Sequence, residues 1–163
     1  MRYVLSMLAS LFLVTASFAE PATTPTISQV FAFLCNKNFS LCPDGFDPAL
    51  GPIQLSNGAL YGTTWWAGQG NSNYGGTVWK VTTSGKASVL HTFASNTKGQ
   101  FPNGENPVIG FAEGKDGSLY GVTEQGGTNN AGVFYRITAN GTFKVLYNFC
   151  SVSGCPDGPG PLD

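Results

Sequence analysis

Gly76-Thr77-Val78-Trp79-Lys80-Val81-Thr82 returns as Gly132-Val133-Phe134-Tyr135-Arg136-Ile137-Thr138, a shift of 56 residues. In each copy alternate residues fall into two sets. Thr77, Trp79 and Val81 stand against Val78, Lys80 and Thr82, and Val133, Tyr135 and Ile137 against Phe134, Arg136 and Thr138. A period of two is the mark of a strand with one face buried, and the set carrying Trp79 and Tyr135 is the face expected to point inward.

Upstream, Leu60-Tyr61-Gly62-Thr63-Thr64 recurs as Leu119-Tyr120-Gly121-Val122-Thr123, now at a shift of 59, so the second copy has lost three residues between these strands. Downstream, a third segment occurs three times, as Gln29-Val30-Phe31-Ala32-Phe33, Val89-Leu90-His91-Thr92-Phe93 and Val145-Leu146-Tyr147-Asn148-Phe149. Thr83-Ser84-Gly85-Lys86 and Ala139-Asn140-Gly141-Thr142 read as hairpin connections, Asn-Gly being a strong short-range hairpin signal. Each third segment leads to a turn, Pro43-Asp44-Gly45, Pro102-Asn103-Gly104 or Pro156-Asp157-Gly158, in which proline fixes φ. A weaker fourth strand runs through Pro48 to Ile53 and again through Pro107 to Ala112.

A unit of about 59 residues with four short antiparallel strands has the size of a β-propeller blade. The expected fold is therefore all-β, an open and incomplete array of two-plus four-stranded, propeller-like units. Residues 29–58 form a partial unit, 59–117 a full one and 118–163 a truncated one. Composition agrees: 22 glycines, 13% aromatic and only 10% charged residues favour strands and tight turns over helices or disorder.

Arg2 followed by the apolar run from Tyr3 to Phe18, with Ser17 and Ala19 before Glu20, reads as a signal peptide over 1–19 and a short linker over 20–28. The run is shorter than the ~20 apolar residues a membrane helix needs. No membrane span is expected after cleavage, and the chain is placed as secreted or on the cell surface, with the periplasm as the alternative compartment. Its near-neutral charge of -1 gives no footprint for nucleic acid.

The Leu-Tyr-Gly-Thr-Thr strand, Gly126-Gly127, the Gly-Thr-Val-Trp-Lys-Val strand and the Pro-Asp-Gly turn together resemble the GloVer (Gloeo/Verruco) extracellular tandem repeat over roughly residues 29–163. The resemblance implies a bacterial cell-surface or secreted protein, usually with more copies and often a C-terminal sorting anchor, and it transfers no catalytic residues.

Cys35 and Cys42 lie in the loop after the first copy of the third segment, and Cys150 and Cys155 in the same loop of the last copy. Four cysteines allow three pairings. Equivalent loop positions favour Cys35 with Cys42 and Cys150 with Cys155, over a four-thiolate zinc site that usually wants Cys-x2-Cys pairs. No metal site or cofactor is expected. His91, the single histidine, aligns with Phe31 and Tyr147 and reads as a packed ring rather than an acid-base group. Asp44 and Asp157 sit in equivalent turns that cap their own backbone. Glu105, Glu113 and Glu124 contain the residue type of a glycosidase pair, with no spacing that selects two of them.

Trp65 and Trp66 have Glu124 and Gln125 as counterparts, and they open a Gly/Asn-rich loop, Ala67 to Gly76, that carries the three extra residues and Tyr74. Loop aromatics stack on sugar rings or anchor a protein partner; the competing reading is that one tryptophan covers the core and the other a neighbouring unit. The sequence thus points to a non-catalytic extracellular module for binding or surface architecture. A carbohydrate-active enzyme or glycan-binding protein using Trp65 and Trp66 is the alternative. Exposed strand edges suggest a homo-oligomer or a surface partner.

Overall fold

The computed structural model describes residues 32–33, 42–49, 51–66, 74–108 and 110–161, all within one unit, Phe31–Asp163. The leader, the linker, Cys35 and residues 67–73 lie outside the described residues.

Ten strands are present among the described residues, and every pairing is antiparallel: β1 Phe46–Pro48, β2 Ile53–Gln54, β3 Leu60–Trp66, β4 Tyr74–Val81, β5 Ala87–Ala94, β6 Glu105–Pro107, β7 Ala112–Glu113, β8 Leu119–Gln125, β9 Val133–Ile137 and β10 Phe143–Asn148. The first sheet runs β1-β3-β4-β5 with β2 also on β3, and the second runs β6-β8-β9-β10 with β7 also on β8. Neither sheet closes on itself.

The expected fourth strand is in fact two strands. Pro48 ends β1 and Ile53 begins β2; Pro107 ends β6 and Ala112 begins β7. Both halves pair with the Leu-Tyr-Gly strand that follows them, as Pro48↔Thr64 and Ile53↔Tyr61 show, matched by Pro107↔Thr123 and Ala112↔Tyr120. Before each proline stands a residue in the left-handed region, Asp47 at φ 60° and Asn106 at φ 54°. Aspartate and asparagine tolerate this conformation better than other side chains.

The two sheets use the motif residues in the same way. Gly62 pairs with Trp79 across β3–β4, and Gly121 with Tyr135 across β8–β9. In both cases the aromatic ring lies over the glycine, where a Cβ would overlap it. Glycine lowers strand stability when its hydrogen is all that fills the site; here the large ring of the partner fills it. The last threonine of each motif is equally fixed. Thr64 Oγ1 accepts the Thr77 N–H at 3.1 Å, and Thr123 Oγ1 accepts the Val133 N–H at 3.0 Å. Thr82 and Thr138 likewise accept the N–H groups of Lys86 and Thr142 across the two hairpins.

Tyr61, Val78 and Phe93 of the first sheet pack into one core with Leu119, Val133, Tyr135 and Ile137 of the second. The second face of the first sheet therefore meets the first face of the second. His91 stacks on Phe143, and Phe93 meets Tyr135 edge-on at 5.5 Å between centroids.

Candidate functional site

Strand direction sorts the connections by length. Beyond the ends of β3, β5, β8 and β10 lie the long connections, and the hairpins at 82–86 and 138–142 lie at the opposite end. Long loops on a rigid scaffold are where binding groups concentrate. This end also holds the residues that differ most between the two sheets.

Trp65 and Trp66 are the last residues of β3. Trp65 is half-buried, and Trp66, paired with Phe46 of β1, is 44% exposed. Tyr74, expected within the loop, instead opens β4 together with Gly75 and Gly76, after the segment outside the described residues. The positions of Phe46 and Trp65 are taken in the second sheet, 59 residues on, by Glu105 and Glu124. Two aromatic side chains have given way to two carboxyls.

Glu105 opens β6, pairs with Gln125 and is half-buried, its Cγ packed so closely on Gly75 of β4 that no side chain fits there. Burial first, and then the charge of Glu124, raises its carboxyl above the ordinary range. Of the three glutamates singled out in sequence, the structure brings Glu105 and Glu124 together. It sends Glu113 to the turn end, where its carboxylate accepts from Ser56 N and, at 2.5 Å, from Ser56 Oγ.

Beside Glu105 lies a surface hollow of about 240 Å³ lined by Gln100, Phe101, Gly127, Thr128, Asn129 and Asn130. Several of its polar groups are already engaged in shaping the loop. Asn130 Oδ1 accepts from Gly126 N at 3.1 Å, Asn129 Nδ2 donates to Cys150 O at 2.5 Å, and Gln100 Oε1 accepts from Asn96 Nδ2. The hollow can offer a flat ring, a carboxyl and amide edges to a polyhydroxylated or peptide ligand. Sequence reasoning missed it because its walls come from residues 99–105 and 127–130, which no repeat register joins.

The loop beside it is stapled by the Cys150–Cys155 disulfide. Asp157 caps this passage, as its turn position predicted: its Oδ2 accepts from Cys150 N at 2.9 Å and from Tyr147 Oη at 2.7 Å. These bonds lower the Asp157 carboxyl, the Tyr147 bond most of all, and raise the Tyr147 hydroxyl. Cys42 is also disulfide-bonded and fully buried; Cys35, its expected partner, lies outside the described residues. His91 is half-buried on the sheet interface, away from these loops, and burial lowers its pKa to about 4.

Among the described residues no three His, Cys, Asp or Glu side chains gather closely enough to hold a metal ion, and no helix is long and apolar enough to cross a membrane. No curated protein and no solved structure matches the chain significantly. The family model described as the Gloeobacter/Verrucomicrobia repeat does match, over residues 22–161. With paired sheets that reuse the same glycine, aromatic and threonine positions, and a match that spans most of its length, the chain belongs to the Gloeobacter/Verrucomicrobia repeat family.

Proposed function

We propose that this chain is an exported, non-catalytic repeat module that binds a surface partner or builds surface architecture, with its binding residues at the long-loop end and its sheets acting as propeller-like blades. The observation that carries the reading is the division of labour between positions. Residues repeated in both sheets, such as Gly62 and Gly121 or Thr64 and Thr123, are occupied with packing and backbone hydrogen bonds. Residues that differ, Trp66, Glu105 and Glu124 among them, sit at the loop end or are partly open to solvent. Core positions in a repeat are free to serve only the fold, and function is added at its rim.

The ligand class this end suits best is a glycan. Trp66 supplies an exposed ring for stacking, and the Phe101–Asn130 hollow supplies hydrogen-bonding groups. A glycan array read with the wild-type protein and with Trp66→Ala tests this. Retained binding to at least one glycan class, lost at least tenfold in the variant with unchanged melting temperature, is expected; an array without signal sinks the glycan reading.

One observation favours a second reading, a carbohydrate-active enzyme: Glu105 is half-buried beside Glu124 with its carboxyl raised, as a general acid requires. Release of reducing ends from polysaccharide, abolished by both Glu105→Gln and Glu124→Gln, would establish it in place of the non-catalytic one.

A further inference from the structure

Charge is sorted along the strands. At the hairpin end stand Lys80, Lys86, Lys115, Arg136 and Lys144; at the long-loop end stand Asp44, Asp47, Glu105, Glu124 and Asp157. Among the described residues the exceptions are Lys98 at the loop end and Glu113 and Asp116 at the hairpin end, and both of these carboxylates are engaged locally. Glu113 accepts from Ser56, and Asp116 pairs with Arg136, the one ion pair among the described residues. The lysines of the hairpin end therefore have no carboxylate partner among the described residues. Charges of one sign gathered at one end set the local potential even where the net charge is close to zero.

The repeat shows how one of these charges is kept open. Arg136 of β9 occupies the position of Lys80 in β4, and Asp116 that of Asn57. In the second sheet the aspartate neutralises the arginine. In the first, Asn57 Nδ2 donates to Tyr61 Oη at 2.9 Å, and Lys80 Nζ lies 5.6 Å from the centroid of that tyrosine ring, positioned by a cation–π contact with its charge unpaired. Lys80 stands opposite Ser88 across β4–β5. With Lys86 and Thr82 they form one wall of an open groove of about 410 Å³, whose other wall is Ala139 and Asn140 of the second hairpin. Gly141 of that hairpin rests against Leu90 of β5, so the groove lies between the hairpins of the two sheets. The second sheet again places two basic residues opposite each other, Arg136 and Lys144. Stacked sheets lie about 10 Å apart, so basic groups recur along this end at a step that a single small anion does not span and a chain of anionic units does.

We infer that the groove between the hairpins binds an acidic polysaccharide, with the ammonium groups of Lys80 and Lys86 on its anionic groups and the Ser88 hydroxyl and Asn140 amide on its sugar hydroxyls. The hairpin tips, Ser84-Gly85 and Asn140-Gly141, carry no large apolar side chain for a bilayer to take up. The exposed aromatic rings among the described residues, Trp66 and Tyr147, lie toward the other end of the strands, so no exposed ring stands here for a nucleic-acid base to stack on. The groove is at the opposite end from the loop site proposed above and does not rest on it.

Fluorescence polarisation with labelled polygalacturonate and dextran sulfate tests the inference on the purified chain. Binding to at least one of them is expected at low salt, weakening as salt rises, with none to unsubstituted dextran or methyl-esterified polygalacturonate. Lys80→Gln/Lys86→Gln should lose at least tenfold in affinity at unchanged melting temperature, and Lys86→Gln, at an exposed position, should alone lose at least threefold. Lys98→Gln, which removes the same charge at the loop end, and Trp66→Ala should stay within twofold of wild type. Absence of binding to both polymers overturns the inference, as does an equal loss in Lys98→Gln, which would assign the binding to diffuse charge, or a loss in Trp66→Ala, which would move it to the loop end. Affinity for phosphatidylglycerol vesicles or duplex DNA equal to that for the polysaccharides would also overturn it.

Discussion

His91 of β5 lies flat on Phe143 of β10, with ring centroids 3.7 Å apart and planes 3° from parallel, so one stacked pair ties the two sheets together. Its Nε2 is buried with no hydrogen-bond partner. A protonated imidazole there would carry a charge with nothing to pair it, which is why burial depresses its pKa from 6.5 to about 4.

The sign of the pH effect follows. The folded state binds the proton more weakly than the unfolded state, so His91 costs no stability above pH 6.5, destabilises progressively as pH falls from 6.5 to about 4, and levels off below that. The full loss is on the order of 3 kcal/mol. Thermal melts as a function of pH should show this acid limb for the wild type and a flatter one for His91→Phe, the ring type the repeat uses at Phe31. An unchanged limb in the variant would assign the acid sensitivity to other groups.

Filling the glycine beneath an aromatic ring should destabilise both sheets. Gly62→Ala and Gly121→Ala each press a methyl group into the partner ring, and overpacking of this kind costs about 1–3 kcal/mol. Gly51, with open space around its Cα, is the control, and Gly51→Ala should stay within about 0.5 kcal/mol of wild type. Urea titrations of the three variants measure the contrast.

Thr64→Val and Thr123→Val keep side-chain shape and remove the hydroxyl that accepts a cross-strand N–H. Each leaves a buried donor unsatisfied, so a loss of about 1–3 kcal/mol is expected from each, similar in size because the sites are equivalent. A loss at one position alone would break the equivalence of the two sheets.

The Cys150–Cys155 bridge closes a short loop, which limits its chain-entropy contribution to roughly 2 kcal/mol. Replacing both cysteines by serine should lower the melting temperature with the β-sheet circular dichroism spectrum retained. Complete unfolding on replacement would show that the bridge organises more than its own loop.

Much of this was readable from the chain. The alternation of Val133, Tyr135 and Ile137 named the buried face of β9, although β4 buries Val78 on the other face as well as Trp79; Thr82 to Lys86 and Thr138 to Thr142 are hairpins, and the repeat position of Cys150 and Cys155 identified their pairing. What escaped the sequence was decided by backbone conformation or by contacts that follow no period. The left-handed turns of Asp47 and Asn106 split one expected strand into two, and their only trace is an Asx-Pro pair repeated 59 residues apart. The meeting of Glu105 with Gly75, and of His91 with Phe143, depends on how two sheets are laid together, which strand periodicity does not encode.

Native-state hydrogen exchange, followed amide by amide, tests the equivalence of the two sheets most directly, since protection reports local opening. Matched amides should exchange at matched rates: Thr77 with Val133, each held by a threonine hydroxyl, and the interior of β3 with β8 and of β4 with β9. Strong protection in one sheet with exchange within seconds in the other would contradict a fold made of two copies of one packed unit.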